Sequence, residues 1–429
     1  MTASTILKPQ WSLFEKIGFR FSFIYFILYI IFQNNGAYPL WGVLMKLPTE
    51  LLHKFIPWVG KNILNLSYEI TTFTGGSGDT TYDYVLVFTI LMLAVFGTVL
   101  WSVLDRRRIN YTKMYYWLTV AIRFYVGLML INYGLVKVIK LQFPEPGFYR
   151  LLEPYGESSP MGLAWTFLGF SKGYNLFMGI AEVAAVLLLF RRTLTFGLII
   201  TLMTTANVMA VNYFYDVPVK LLSTHLVLMT LFLLLKDFKA LCTFFFTKTA
   251  VSLNIIRQPK KEGDKSLMLV SRILKGLVLG YIAIFGFIRL SQSQKIYGTK
   301  APKPAVYGLF EITHFEKNGD TLPPNLNDSE RWRYLAMERE GSATVYKMNN
   351  QRVAYQTIVD TLKQEIEFTD YYDSTDVFTL KYKKTDYVFN FETIRDNDTI
   401  KASSKIKTKD DFLLMNRGFH WISEQPYNR

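Results

Sequence analysis

Two patterns of apolar and polar positions divide the chain. Up to residue 290, long apolar runs alternate with short basic stretches. The runs lie at about 18–33, 85–104, 115–137, 173–190, 194–214, 221–241 and 268–290, and most are bounded by charge, as membrane-spanning helices are. After Arg289 the period shortens. FTLKYKKTDYVFNFETI, Phe378 to Ile394, alternates apolar and polar residues on both sides of a polar turn, which predicts a β-hairpin. Similar runs around Tyr307–Phe315, Arg333–Met337, Ala343–Met348, Val353–Ile358 and Phe412–Asn416 predict eight or so strands in all. The expected fold is an α-helical integral membrane bundle of about seven transmembrane helices, followed by an all-β extracytoplasmic domain, a small barrel or sandwich.

Composition supports this division and removes one alternative. Half of the 429 residues are hydrophobic and 16% are aromatic, more than a soluble chain with such long runs would carry. The net charge of +14 would suit a nucleic-acid binder, but its distribution does not. Residues 291–429 hold 20 Lys+Arg and 20 Asp+Glu, so the whole excess lies between the apolar runs, where topology signals sit. With the N-terminus in the cytoplasm, 16 basic residues fall inside and 8 outside before the β-rich region. That bias puts the C-terminal domain outside, which is the periplasm of a bacterium. The first run, Phe19 to Phe32, has no small-residue cleavage site after it and reads as an uncleaved anchor. Cys242 is the one cysteine, which excludes an internal disulfide and dithiol chemistry.

Four stretches follow as expected domains: an N-terminal transmembrane pair with its outer loop (1–114), a four-helix core (115–245), a basic loop with the seventh span (246–292), and the β-rich domain (293–429). Residues 34–84 include LWGVLMKLPTELLHKFIPWVGKNILNL, an amphipathic, tryptophan-bearing stretch suited to the membrane interface. The GGSGDTTYDYV segment, Gly75 to Val85, reads as a tight turn feeding the second span. It lacks the Lys-Ser/Thr of a phosphate loop. Residues 138–172, with FPEPGFYRLLEPYGESSP, form a second expected outer cap.

Charged and polar residues inside the apolar runs are the candidates for chemistry, because an unpaired charge there costs several kcal/mol. In GIAEVAAVLLLFRR, Glu182 lies nine residues from Arg191, about 14 Å deep at 1.5 Å per residue. The same ruler puts Arg123, Asn207 and His225 about 15–20 Å from the inner face. Mutual contact would satisfy all four. One reading is a structural Glu182–Arg123 ion pair, with Asn207 and His225 completing the hydrogen bonds. The other is a polar site able to hold the head of a quinone or lipid, or to pass a proton, which a histidine near a carboxylate suits. At the outer mouth the candidates are Asn212, Asp216 and Lys220 in VNYFYDVPVK, and Asp79 and Asp83, which also read as helix caps. Lys137 and Lys140 are expected to snorkel outward, and Arg272 and Lys275 toward the cytoplasm. The four histidines have no metal spacing, and no GxSxG, CxxC or GxGxxG motif occurs, so no metal is expected.

Residues 115–240 resemble the DoxX family of small four-helix membrane proteins. The resemblance rests on Arg123, the GLVKVIK exit (Gly134 to Lys140), GIAEVAAVLLLFRR, TTANVMAVNYFYDVPVK and STHLVLMTLFLLL. The added helices and β-rich domain are similar to a longer DoxX-like form associated with Bacteroidota. The resemblance implies a bacterial inner-membrane protein tied to quinone or redox complexes. Some DoxX-type proteins are subunits of thiosulfate:quinone oxidoreductase, and others are membrane partners of detoxifying enzymes. The expected function is therefore a subunit that binds a hydrophobic ligand, a quinone or lipid, amid membrane lipids and docks envelope proteins through its outer domain. An alternative is a quinone-linked oxidoreductase subunit, with Glu182 and His225 handling protons, Arg123 steadying an anion, and a partner donating electrons. A small-solute or lipid transporter is the third reading; inverted repeats would favour it, and none is seen.

Overall fold

The computed structural model describes residues 10–73, 75–247, 249–253 and 265–428. Of the basic residues expected inside, Lys8, Lys248, Arg257, Lys260 and Lys261 lie outside the described residues, as do the side chains of Lys265, Arg272 and Lys275. The chain divides into two compact units, residues 1–143 with 159–291 and residues 144–158 with 292–429.

The first unit is helical. Helix α1 (Leu13–Phe32) starts at Ser12, whose hydroxyl accepts from the Glu15 N–H while the Glu15 carboxylate accepts from the Ser12 N–H. A short α2 (Trp41–Leu44) leads into α3 (Lys46–Asn62). Thr80 and Asp83 form a second such box at the start of α4 (Thr81–Leu104). Helix α5 (Thr112–Val138) follows; after α6 (Phe148–Leu152), which belongs to the second unit, come α7 (Pro160–Phe170), α8 (Lys172–Val183), α9 (Leu194–Phe214), α10 (Lys220–Leu234), α11 (Phe238–Thr247) and α12 (Lys265–Ile296).

Among the described residues, four helical stretches are long and apolar enough to cross a membrane: Thr81–Leu104, Thr112–Val138, Lys172–Leu189 and Leu194–Phe214. Helices form at the other three expected places too. However, α1 carries Glu15, Lys16 and Arg20 in its first half, and α10 has only 15 residues. The run expected as one helix over 221–241 breaks between α10 and α11. There Asp237 turns inward and accepts a hydrogen bond from the Thr195 hydroxyl at 2.5 Å. The run at 173–190 also changes form: α8 tightens at Ala184 into a 3-10 helix, Ala184–Leu189. That stretch is wedged between glycines. A Cβ on Gly127 would lie 2.9 Å from Leu189, and one on Gly197 2.8 Å from Leu187.

The core of this unit joins α1, α5, the 3-10 stretch, α9 and α10 through Tyr29, Leu118, Ile122, Tyr125, Leu188, Leu198 and Met229. Arg20 is 2% exposed and fully engaged. It donates to the Tyr111 hydroxyl, to Ser102 and to the Asp105 carbonyl, which pins the start of α1 to the α4–α5 connection.

The second unit is a closed antiparallel barrel. Strands β1 (Gly308–Lys317), β3 (Trp332–Arg339), β4 (Ser342–Lys347), β5 (Arg352–Asp360), β6 (Glu365–Asp370), β7 (Val377–Lys384), β8 (Val388–Arg395) and β9 (Asp398–Lys407) pair in chain order. Pairing of β9 with β1 closes the ring at eight strands, and the two-residue β2 (Asp320–Thr321) extends one end of β1. Alternate residues point inward, and side chains fill the interior: Phe310 and Phe389 meet at 4.2 Å and Phe368 stacks on Phe378 at 5.0 Å. Arg331, 2% exposed, donates to the Leu322, Trp332 and Ile312 carbonyls.

Two expectations in this region change. The run at Phe412–Asn416 forms not a strand but a single helical turn, α13 (Leu413–Asn416). Part of the expected outer cap belongs to the barrel unit: Phe148 of α6 is wholly buried against Leu309, Ala336 and Tyr346, and its N–H donates to Glu338. In the C-terminal segment Phe419, Trp421 and Ile422 are exposed.

Candidate functional site

Helices α5 and α8 cross with their backbones in contact. A Cβ on Gly134 would lie 2.7 Å from the Gly179 carbonyl oxygen, and one on Gly179 2.7 Å from the Gly134 carbonyl oxygen. Only glycine permits this approach, as in the small-residue crossings of membrane helices. Three residues further along each helix stand Lys137 and Glu182. Helical side chains lean toward the N-terminus, so in this antiparallel pair both lean back to the crossing and meet there. Lys137 Nζ forms an ion pair with Glu182 Oε1, with both residues at 5% exposure or less. Among the described residues, no hydrogen-bond partner reaches the second carboxylate oxygen, Oε2.

This corrects two expectations. Glu182 pairs with Lys137 and not with Arg123, and Lys137 does not snorkel outward. The sequence places both lysine and glutamate at helical spacing from a glycine, but reading the pair requires knowing which glycines touch. Arg123 has another partner. Its Nε donates to the Leu188 carbonyl at 2.8 Å, near the end of the 3-10 stretch. Asn207 is exposed on α9 and joins no polar layer.

His225 is buried on α10 in a different set of contacts. Its Nδ1 lies 2.6 Å from the Leu221 carbonyl, which can only accept, so Nδ1 carries the hydrogen. Nε2 is then the acceptor for the Tyr25 hydroxyl at 2.7 Å. The Tyr29 ring stacks on the imidazole, centroid to centroid 3.7 Å, with planes 9° apart. Tyr25 and Tyr29 of α1 give no signal of their own in a run of aromatic residues. The expected single layer of Arg123, Glu182, Asn207 and His225 is thus not formed: Arg123, Glu182 and His225 each hold a different partner, and Asn207 is exposed.

The outer-mouth candidates do come together. The Asp79 carboxylate accepts from the N–H groups of Lys220 (2.7 Å) and Leu221 (2.9 Å), capping α10 from a turn about 140 residues away. Lys220 Nζ reaches Asp216 at 2.8 Å and lies 3.9 Å from Asp79. Asn212 donates to the Val219 carbonyl, and the Gly78 N–H donates to the Pro218 carbonyl. Asp83 caps its own helix and also accepts from Gln33 Nε2. Expected as caps, both aspartates cap, but Asp79 caps a helix other than its own.

Beneath this latch lies a cleft of about 190 Å³. Tyr29, Gln33, Asn35, Ser77 and Tyr133 supply polar groups to its wall, and Val87, Val219, Leu221 and Leu222 supply apolar ones. Tyr29 connects the cleft to the His225 pair, and Tyr133 precedes Lys137 by one turn of α5. Gly76 (φ +87°) lets the turn fold over the cleft, a conformation that a side chain would strain. Among the described residues no group of three or more metal-ligating side chains occurs.

No family model matches the chain, and no solved structure matches it. YwoB of Bacillus subtilis (strain 168), itself an uncharacterized protein, is 39% identical over 119 residues. Those residues make up 27% of this chain and 73% of YwoB. At that identity and coverage, the chain belongs to the same family as YwoB.

Proposed function

We propose that this is an inner-membrane protein that holds a hydrophobic ligand with a hydrogen-bonding head, a quinone or a lipid, in the cleft beneath the Gly75–Asp79 turn. The observation that carries this reading is the composition of the cleft wall. Tyrosine, glutamine, asparagine and serine groups converge at one end of apolar helices, and valine and leucine complete the lining. A ligand of this class needs both surfaces. The resemblance to DoxX proteins supports a quinone among such ligands and a bacterial inner membrane as the setting. In the full proposal the chain crosses seven times with its N-terminus inside. The barrel then lies in the periplasm and offers Phe419, Trp421 and Ile422 to envelope proteins.

The contact of Tyr29 with both the cleft and His225 favours one second reading, a quinone-linked oxidoreductase subunit. There His225 and Tyr25 would relay protons and a partner would supply electrons. Arg123 and Glu182 are engaged elsewhere and drop out of that relay.

The test is purification in mild detergent, followed by mass spectrometry of extracted quinones and phospholipids per mole of protein. Val87→Phe narrows the cleft. A quinone or lipid bound to the parent and depleted at least several-fold in the variant, at an unchanged melting temperature, supports the proposal and names the ligand. Equal ligand content in both proteins would sink it.

A further inference from the structure

Helix α3 has three distinct faces. One packs on α4: Ile56 and Val59 are buried with Tyr82, Val85, Leu86 and Ile90, and Leu52 packs beside them. The flank between that packed face and the charged side exposes Leu47 (66%), Leu51 (60%), Phe55 (46%) and Trp58 (52%). At about 100° per residue these four fall within a stripe about 80° wide. Lys54, Lys61 and Lys46 border the stripe along one side, with Glu50 the one acid among them, and all four are exposed. The preceding turn, α2, continues the apolar surface with exposed Val43 and Leu44.

This arrangement differs from an ordinary lipid-facing helix. A spanning helix needs an apolar circumference along about 20 residues, whereas α3 has 17 and four charges in its length. It differs as well from a soluble amphipathic helix, whose apolar face is the packed one. Here a packed face, an exposed apolar stripe and a basic border coexist, and only a surface that is apolar below and anionic above complements the last two.

We infer that α2 and α3 form a platform lying in the membrane interface. Leu47, Leu51, Phe55 and Trp58 enter the acyl region, and Lys46, Lys54 and Lys61 engage the phosphates of anionic lipids. The lysine stems reach along the apolar surface while their ammonium groups stay at headgroup level. The occupant of this face is the bilayer itself, and the inference does not depend on what fills the cleft.

The experiment uses the full chain with Cys242→Ser, spin-labelled at Leu51→Cys or at Phe55→Cys, in lipid nanodiscs with and without anionic phosphatidylglycerol. The expected result is strong relaxation by oxygen and weak relaxation by an aqueous nickel chelate at both sites. Strong relaxation by the chelate would overturn the inference in favour of a solvent-exposed face. Spin–spin broadening between copies would overturn it in favour of self-association. In parallel, Lys46→Gln/Lys54→Gln/Lys61→Gln is expected to lower co-purifying anionic phospholipid at least twofold relative to zwitterionic lipid. An unchanged ratio would overturn the anionic part of the inference. Apart from the half-buried Cys242, the substituted residues are exposed, and a melting curve checks that each variant folds.

Discussion

Lys137 and Glu182 each stand three residues beyond the glycine at which their helices touch. Gly134 and Gly179 bring the α5 and α8 backbones together, and the backward lean of helical side chains does the rest. The ion pair is thus a product of the crossing, and its cost of desolvation is offset only while the crossing holds.

Removing one partner of this pair should cost more than removing both. Glu182→Gln leaves a buried ammonium without its counter-charge, an expected loss of about 3–5 kcal/mol. Lys137→Met with Glu182→Met should recover most of that. Unfolding in detergent would measure all three proteins; a double variant as unstable as the single one would contradict the expectation.

Gly134→Ala should open the crossing. Its methyl group would sit 2.7 Å from the Gly179 carbonyl oxygen, a backbone atom with no freedom to swing aside. Overpacking of this kind costs about 1–3 kcal/mol. Gly18, with nothing within 4 Å of the corresponding position, is the control, and Gly18→Ala should leave the melting temperature unchanged or slightly raised.

Asp79→Ala removes the cap on α10 and should destabilise the helical unit by about 0.5–2 kcal/mol. Asp79→Asn retains an acceptor oxygen and should fall between. Hydrogen exchange at Lys220 and Leu221 reads the effect directly, since their N–H groups lose protection only if Asp79 holds them.

The barrel should weaken in acid through Asp398. Hydrogen bonds from Lys317 and Asn318 hold its carboxyl below the usual aspartate range. Such a group contributes its stability above the unfolded pKa of about 4, and that contribution is lost as pH falls through the lower folded value. Urea titrations at pH 5 and pH 3, read by hydrogen exchange in residues 308–317 and 398–407, should show a smaller acid loss for Asp398→Asn than for the parent.

Much of the architecture follows from local pattern. Apolar runs bounded by charge located α4, α5 and α9, and alternation located β7 and β8. The pattern is weaker where tertiary contact decides. In β9 the inward positions are Ile400, Ala402 and Ser404, because bulky Phe389 and Phe391 of β8 already fill the space beside them. Ser404 donates to the Phe389 carbonyl, so a polar side chain is at home inside the barrel. At the candidate site the rotation of each helix about its axis, which decides what a side chain meets, was not readable. Asn207 is exposed, and Glu182 meets a lysine whose place at the end of α5 suggested solvent.

The closure of β1 on β9 also governs the order in which the barrel can be made. Its first strand waits for a neighbour about 90 residues further along the chain, since Asp398–Lys407 is the last strand of the ring in chain order. Until then β1 and β8 each present an open edge, the kind of surface that recruits other chains. A stop codon placed near residue 396 should therefore yield an aggregating product, although eight of the nine strands would be present.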